Sequence, residues 1–95
     1  MISSKQRAYL RTMANTLNPI FQIGKGGLNE NLIKSVDEAL ENRELIKLTI
    51  LDNSTQNVKE ACAYIAEHTG SEQIQCIGRR FVLYRESKEH KTILL

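Results

Sequence analysis

The sequence predicts a single α/β domain with elements in the order α-β-α-β-α-β-β: a four-stranded mixed sheet packed with three helices. Three observations predict it. Segments with apolar residues at helical spacing alternate with short strand-like runs through most of the chain. The one proline, Pro19, and a glycine cluster at 24–27 bracket the first strand-like run. Two last strand-like runs are joined by Gly78-Arg79-Arg80, a connection short enough for an antiparallel hairpin. The early alternation argues for parallel pairing through crossovers, and the hairpin makes the sheet mixed.

Ser3 or Ser4 can cap a first helix that runs to about residue 17, where Leu10, Met13, Ala14 and Leu17 recur at helical spacing. Lys5, Arg7 and Arg11 share that helix and can stay largely in solvent. Pro19 cannot continue a helix and suits the start of a strand at 20–23. A second helix is expected from about 29 to 42, with Leu32, Ile33, Val36, Ala39 and Leu40 inward. In the next run, Ile46, Leu48 and Ile50 alternate with Lys47 and Thr49, a strand with one buried face and one mixed face. Asp52-Asn53-Ser54-Thr55 reads as a turn and cap cluster. A third helix, about 56–68, points Val58, Ala61, Cys62 and Ile65 inward and stops at Gly70. Strands at about 73–77 and 81–85 complete the domain, 1–85, and residues 86–95 form a charged C-terminal tail ending in Ile93-Leu94-Leu95.

A chain of 95 residues with 41% hydrophobic and 25% charged residues can build a core without metals or disulfides. No apolar run approaches the length of a membrane helix, and the N-terminus is amphipathic, so the expected setting is the cytoplasm, with no membrane partner. Cys62 and Cys76 form no CxxC pair and read as buried free thiols. The charge is unevenly placed: +4 over residues 1–34, −5 over 35–78 and +3 over 79–95. If the two basic ends meet in space, they form a face suited to a polyanion.

Residues 19–28, Pro-Ile-Phe-Gln-Ile-Gly-Lys-Gly-Gly-Leu, stand out. They read as a strand, a glycine turn with Lys25 at its tip, and a helix start capped by Asn29. Bare backbone, helix N–H groups and a lysine together favour a phosphate. The same residues also fit a plain strand-to-helix turn. Leu28 stands where an NTP-binding loop needs Ser or Thr, and the glycine spacing is not that of a dinucleotide fold. Neither His68 nor His90 has beside it a Ser, Cys or carboxylate that suggests a triad, and His68 reads as a helix-end cation. Nothing resembles an active site, and no metal or cofactor is implied. Around the hairpin, Arg79, Arg80 and Arg85 could fork onto phosphates, and the 5% aromatic content favours shape and backbone recognition over base stacking.

Four stretches together resemble the CRM (chloroplast RNA splicing and ribosome maturation) domain family in order and spacing. They are Lys5–Arg11, Pro19–Leu28 with its GKGG turn, Glu44–Lys47 and Gly78–Arg85. The match covers about residues 2–85 and is similar to the stand-alone bacterial YhbY-like form. The resemblance implies a fold like the C-terminal domain of translation initiation factor three, an RNA-binding GxxG loop, and association with ribosomal RNA of a large-subunit precursor. It carries the loop role onto Gly24, Lys25, Gly26 and Gly27, and supports contacts from the basic first helix and Arg79. It gives no role to Arg80 or the tail. The expected protein is thus a monomeric, non-catalytic RNA-binding protein of ribosome assembly. Gly24, Lys25, Gly26, Gly27, Lys5, Arg7, Arg11, Lys34 and Arg79 would form its RNA site. Two alternatives stay open. One is a protein-interaction module using the acidic helix surface of Asp37, Glu38, Glu41 and Glu44. The other is a small nucleotide-binding enzyme.

Overall fold

Alternating side chains on two long strands sort the core of this protein into two layers. The computed structural model describes residues 2–24, 27–51 and 57–95. Its elements follow the expected order: α1 (Ser4–Ala14), β1 (Phe21–Ile23), α2 (Glu30–Arg43), β2 (Leu45–Ile50), α3 (Val58–Thr69), β3 (Glu72–Ile77) and β4 (Arg80–Tyr84). The sheet order is β1-β2-β4-β3. β1 runs parallel to β2, with Ile23 beside Ile50, and the β3–β4 hairpin is antiparallel. β4, not β3, lies against β2, also antiparallel, with Leu45 beside Tyr84 and Thr49 beside Arg80.

Ile46, Leu48 and Ile50 of β2 and Phe81 and Leu83 of β4 point to one face. There they meet Val36 and Leu40 of α2 and Ala61, Cys62, Ile65 and Ala66 of α3. The opposite parity, Leu45, Val82 and Tyr84, packs with Leu10 and Ala14 of α1 and with Ile93 of the tail. A β-bulge between Gln73 and Gln75 lets Ile74 join this second layer. The helices therefore cover both faces.

Local signals set the helix ends. Ser3 and Gln6 form a reciprocal capping box at the start of α1. α1 stops at Ala14, three residues short of the expected end, and Leu17 packs beside the second layer from the connection that follows. Asn29 caps α2 through Leu32 N–H, and Asn57 caps α3 through the N–H groups of Lys59 and Glu60. Gly70 closes α3 in the left-handed region at φ 65°. The expected cap cluster Asp52–Thr55 lies outside the described residues.

Two sequence expectations need correction. Glu44 is not on an acidic surface: it is fully buried, and its backbone takes φ 65°, unusual for a residue with a side chain. Glu41 is only half-exposed. Together the two carboxylates hold the tail. Glu44 accepts from the N–H groups of Ser87 (2.8 Å), Thr92 (2.7 Å) and Ile93 (2.9 Å). Glu41 accepts from the Ser87 hydroxyl (2.8 Å) and from the N–H groups of Lys88 and Glu89. Burial pushes the Glu44 carboxyl up, yet these donors outweigh it and hold it below its ordinary value. The Ser87 hydroxyl, followed by the two N–H groups, holds Glu41 low as well. Cys62 is a buried free thiol, pushed up to about 12 by burial and then by nearby Cys76, while Cys76 is only partly buried.

Candidate functional site

Chain direction decides which groups gather at each end of the sheet. β1 and β2 are parallel, so both point their carboxyl ends the same way. α2 leads directly into the start of β2, and the last turn of α3 leads into the start of β3. Both helices therefore present their N-termini at the end where β1 and β2 finish. That is the end where open α/β sheets usually take ligands. The N-terminal ends carry partial positive charge and N–H groups outside the helical ladder.

The glycine turn sits at this end. Gly27 N–H donates to the Gly24 carbonyl across 3.0 Å, which draws the ends of the GKGG segment together. Gly27 has φ 67°, a backbone conformation that favours glycine. Lys25 and Gly26 lie outside the described residues. Behind the turn, Leu51 N–H donates to the Ile23 carbonyl at 2.9 Å, which ties β1 to the end of β2.

The hairpin tip joins the same end. Ile50 N–H donates to the Arg79 carbonyl at 2.7 Å, and Thr49 Oγ1 donates to it at 3.3 Å. Arg79 Nη1 donates to the Leu51 carbonyl at 3.4 Å. Ile50 is the register partner of Ile23, so Arg79 lies one strand away from the glycine turn, on an exposed tip. Gly78 makes the tip possible with φ 60°. Exposed Arg80 follows it, and Lys34 is exposed in the first turns of α2.

The basic residues of α1 lie elsewhere. Arg7 Nη1 donates to the Gln73 carbonyl, and Nη2 is 3.8 Å from Glu72 Oε1. Glu72, Tyr84 and Leu45 form the row at the start of β2, five residues and about 17 Å along that strand from Ile50. Lys5 lies beside Tyr9, Leu94 and Leu95 at this far end. Arg11 is one turn further along α1 and half-buried. Arg85 is also a structural residue. It reaches Asp37 Oδ1 (2.5 Å), the Asp37 carbonyl (2.9 Å) and the Thr69 carbonyl (2.7 Å). The structure thus brings Gly24, Gly27 and Arg79 together near Lys34, and sets Lys5 and Arg7 apart from them.

Sequence reasoning passed over Tyr64. Its ring stacks on His68 with centroids 4.0 Å apart, and it is 41% exposed. The four-residue spacing on a helix was the available signal.

A solved structure shares this fold, and curated relatives share the sequence. The solution structure of the hypothetical protein SAV1595 from Staphylococcus aureus, described as a candidate RNA-binding protein, superposes with a TM-score of 0.82 at 54% identity, covering 100% of this chain and 99% of that one. "Probable RNA-binding protein YqeI" of Bacillus subtilis is 46% identical over 95 residues, 100% of this chain and 99% of the relative. A Haemophilus influenzae protein named "RNA-binding protein" is 34% identical over 90 residues, 95% of this chain and 91% of the relative. The model of the CRS1 / YhbY (CRM) domain matches residues 2–85, and the chain belongs to that family.

Proposed function

We propose that this chain is a non-catalytic RNA-binding protein that docks on ribosomal RNA of large-subunit precursors during ribosome assembly. One observation carries the reading. The glycine turn, the N-termini of α2 and α3, and the Arg79 tip converge at one end of the sheet. Such an end offers backbone N–H groups and arginine forks to phosphates in fixed positions. Family membership and the relatives named as RNA-binding proteins support it. On this reading the protein works in the cytoplasm as a monomer, without metal or cofactor.

The acidic-surface alternative is weakened. Glu44 is buried, Glu41 is engaged by the tail, and Asp37, although exposed, is paired with Arg85. Only Glu38 of the four is left as an exposed acid that forms none of these contacts.

Sedimentation of a cell lysate, with fractions probed for this protein, tests the proposal. The protein should travel with large-subunit precursors and be released by ribonuclease. If it stays with free protein at low salt, the ribosomal part is wrong. Filter binding to purified ribosomal RNA then decides whether RNA binding survives alone.

A further inference from the structure

Beside Gly27, residues of α2 and α3 line a groove of about 770 Å³. Leu28, which directly follows Gly27, and Ile33 supply its apolar surface. Tyr64 and His68 line it from α3. His68 Nδ1 lies 2.9 Å from the Tyr64 carbonyl. A carbonyl can only accept, so Nδ1 carries the proton and the imidazole is fixed by its own helix. That bond and the ring stack hold Tyr64 in place while it stays 41% exposed.

The charges select the kind of group that fits. Lys34 lines the groove, but so does the carboxylate of Glu30, while that of Asp37 is already engaged by Arg85. A carboxylate repels a phosphate inside. It accepts readily from the amino and imino N–H groups of a base edge. A flat aromatic ring, apolar side chains and a carboxylate acceptor are complementary to a nucleobase. A paired base cannot reach them, because its faces are stacked and its edge is occupied.

We propose that this groove takes one unpaired base of the bound RNA, stacked on Tyr64, while the adjoining backbone passes Gly27 and Lys34. The proposal rests on the RNA-binding reading and adds a preference to it: RNA with unpaired nucleotides over continuous duplex.

The test uses the full chain with two RNAs at matched salt, a hairpin with an unpaired loop and a fully paired duplex of equal phosphate number. The wild-type protein should bind the hairpin more tightly. Tyr64→Ala should weaken hairpin binding by about 5- to 150-fold, the range for loss of one base–aromatic stack. Duplex binding and the salt slope should stay unchanged, which also shows that the variant is folded. Tyr64→Phe should keep the preference. Equal wild-type affinity for both RNAs, or an unaltered preference in Tyr64→Ala, overturns the base site and leaves the RNA-binding reading standing. A wild-type protein that binds neither RNA overturns both.

Discussion

The two ends of the sheet handle polar groups in opposite ways. At the tail end, acidic side chains are satisfied from within the chain. Glu44 and Glu41 take the N–H groups and hydroxyls of residues 87–93, and Asp37 takes Arg85. At the loop end, two helix N-termini, a glycine turn and an arginine tip face outward. Charge that is consumed internally serves stability, and groups presented outward can serve a partner. Net charge along the sequence does not separate these uses, because Arg7 and Arg85 belong to the first and Arg79 to the exposed tip of the second.

The largest expected effect breaks the tail end alone. Glu44→Gln keeps the side-chain volume but turns an NH₂ toward N–H groups of the tail. It should cost about 2–4 kcal/mol, since buried charge-assisted hydrogen bonds are lost and donors are left unsatisfied. Chemical denaturation measures the loss, and RNA affinity of the folded protein should not change. Reduced affinity in folded Glu44→Gln would show that the ends are not independent.

Gly27→Val breaks the loop end. A β-branched side chain at φ 67° should cost about 1–3 kcal/mol in melting stability. RNA affinity measured well below the melting temperature should fall as well. Normal affinity with lowered stability would leave the turn a matter of architecture.

Acid should act on the tail end first. Glu41 and Glu44 both titrate below the ordinary 4.5 when folded, so folding favours their ionised forms. Their contribution is complete above about pH 4.5 and disappears as pH falls through the folded values. Protection from hydrogen exchange at Ser87, Thr92 and Ile93, relative to the intrinsic rate at each pH, should therefore fall in acid before protection in β2 does. Simultaneous loss in both would merge the two ends into one cooperative unit.

The smallest effect separates the two groups of basic residues. Arg79→Ala should flatten the log–log salt dependence of RNA binding by roughly 0.7–0.9, the value of one phosphate contact. Lys5→Ala should leave it nearly unchanged. An equal effect from Lys5→Ala would extend the interface along α1.

Much of this was legible in the sequence because the signals are local. Helical spacing, Pro19, Gly70 and the Gly78 hairpin act within a few residues, and so does the glycine turn itself. Glu44 was not legible. Its partners lie 43 to 49 positions away on an irregular segment with no periodicity to announce it. The loss of Arg7 to Glu72 and Gln73 was hidden for the same reason, since an amphipathic helix looks alike whether its cations meet water or a distant strand. The position of Arg79 could be reasoned from topology, but only by placing the hairpin near the first strand. β2 in fact stands between them.

The bulge in β3 has a consequence for the company this chain keeps. β3 is an outer strand of the sheet, and an outer strand with a regular row of free backbone groups invites a strand from another molecule. Here the row is broken at Ile74, Arg7 already holds the carbonyl of Gln73, and Glu72 puts a charge at the strand's start. A second chain seeking to extend the sheet would find mismatched spacing and an acceptor already taken. The arginine missing from the loop end thus also blunts the outer edge of the sheet.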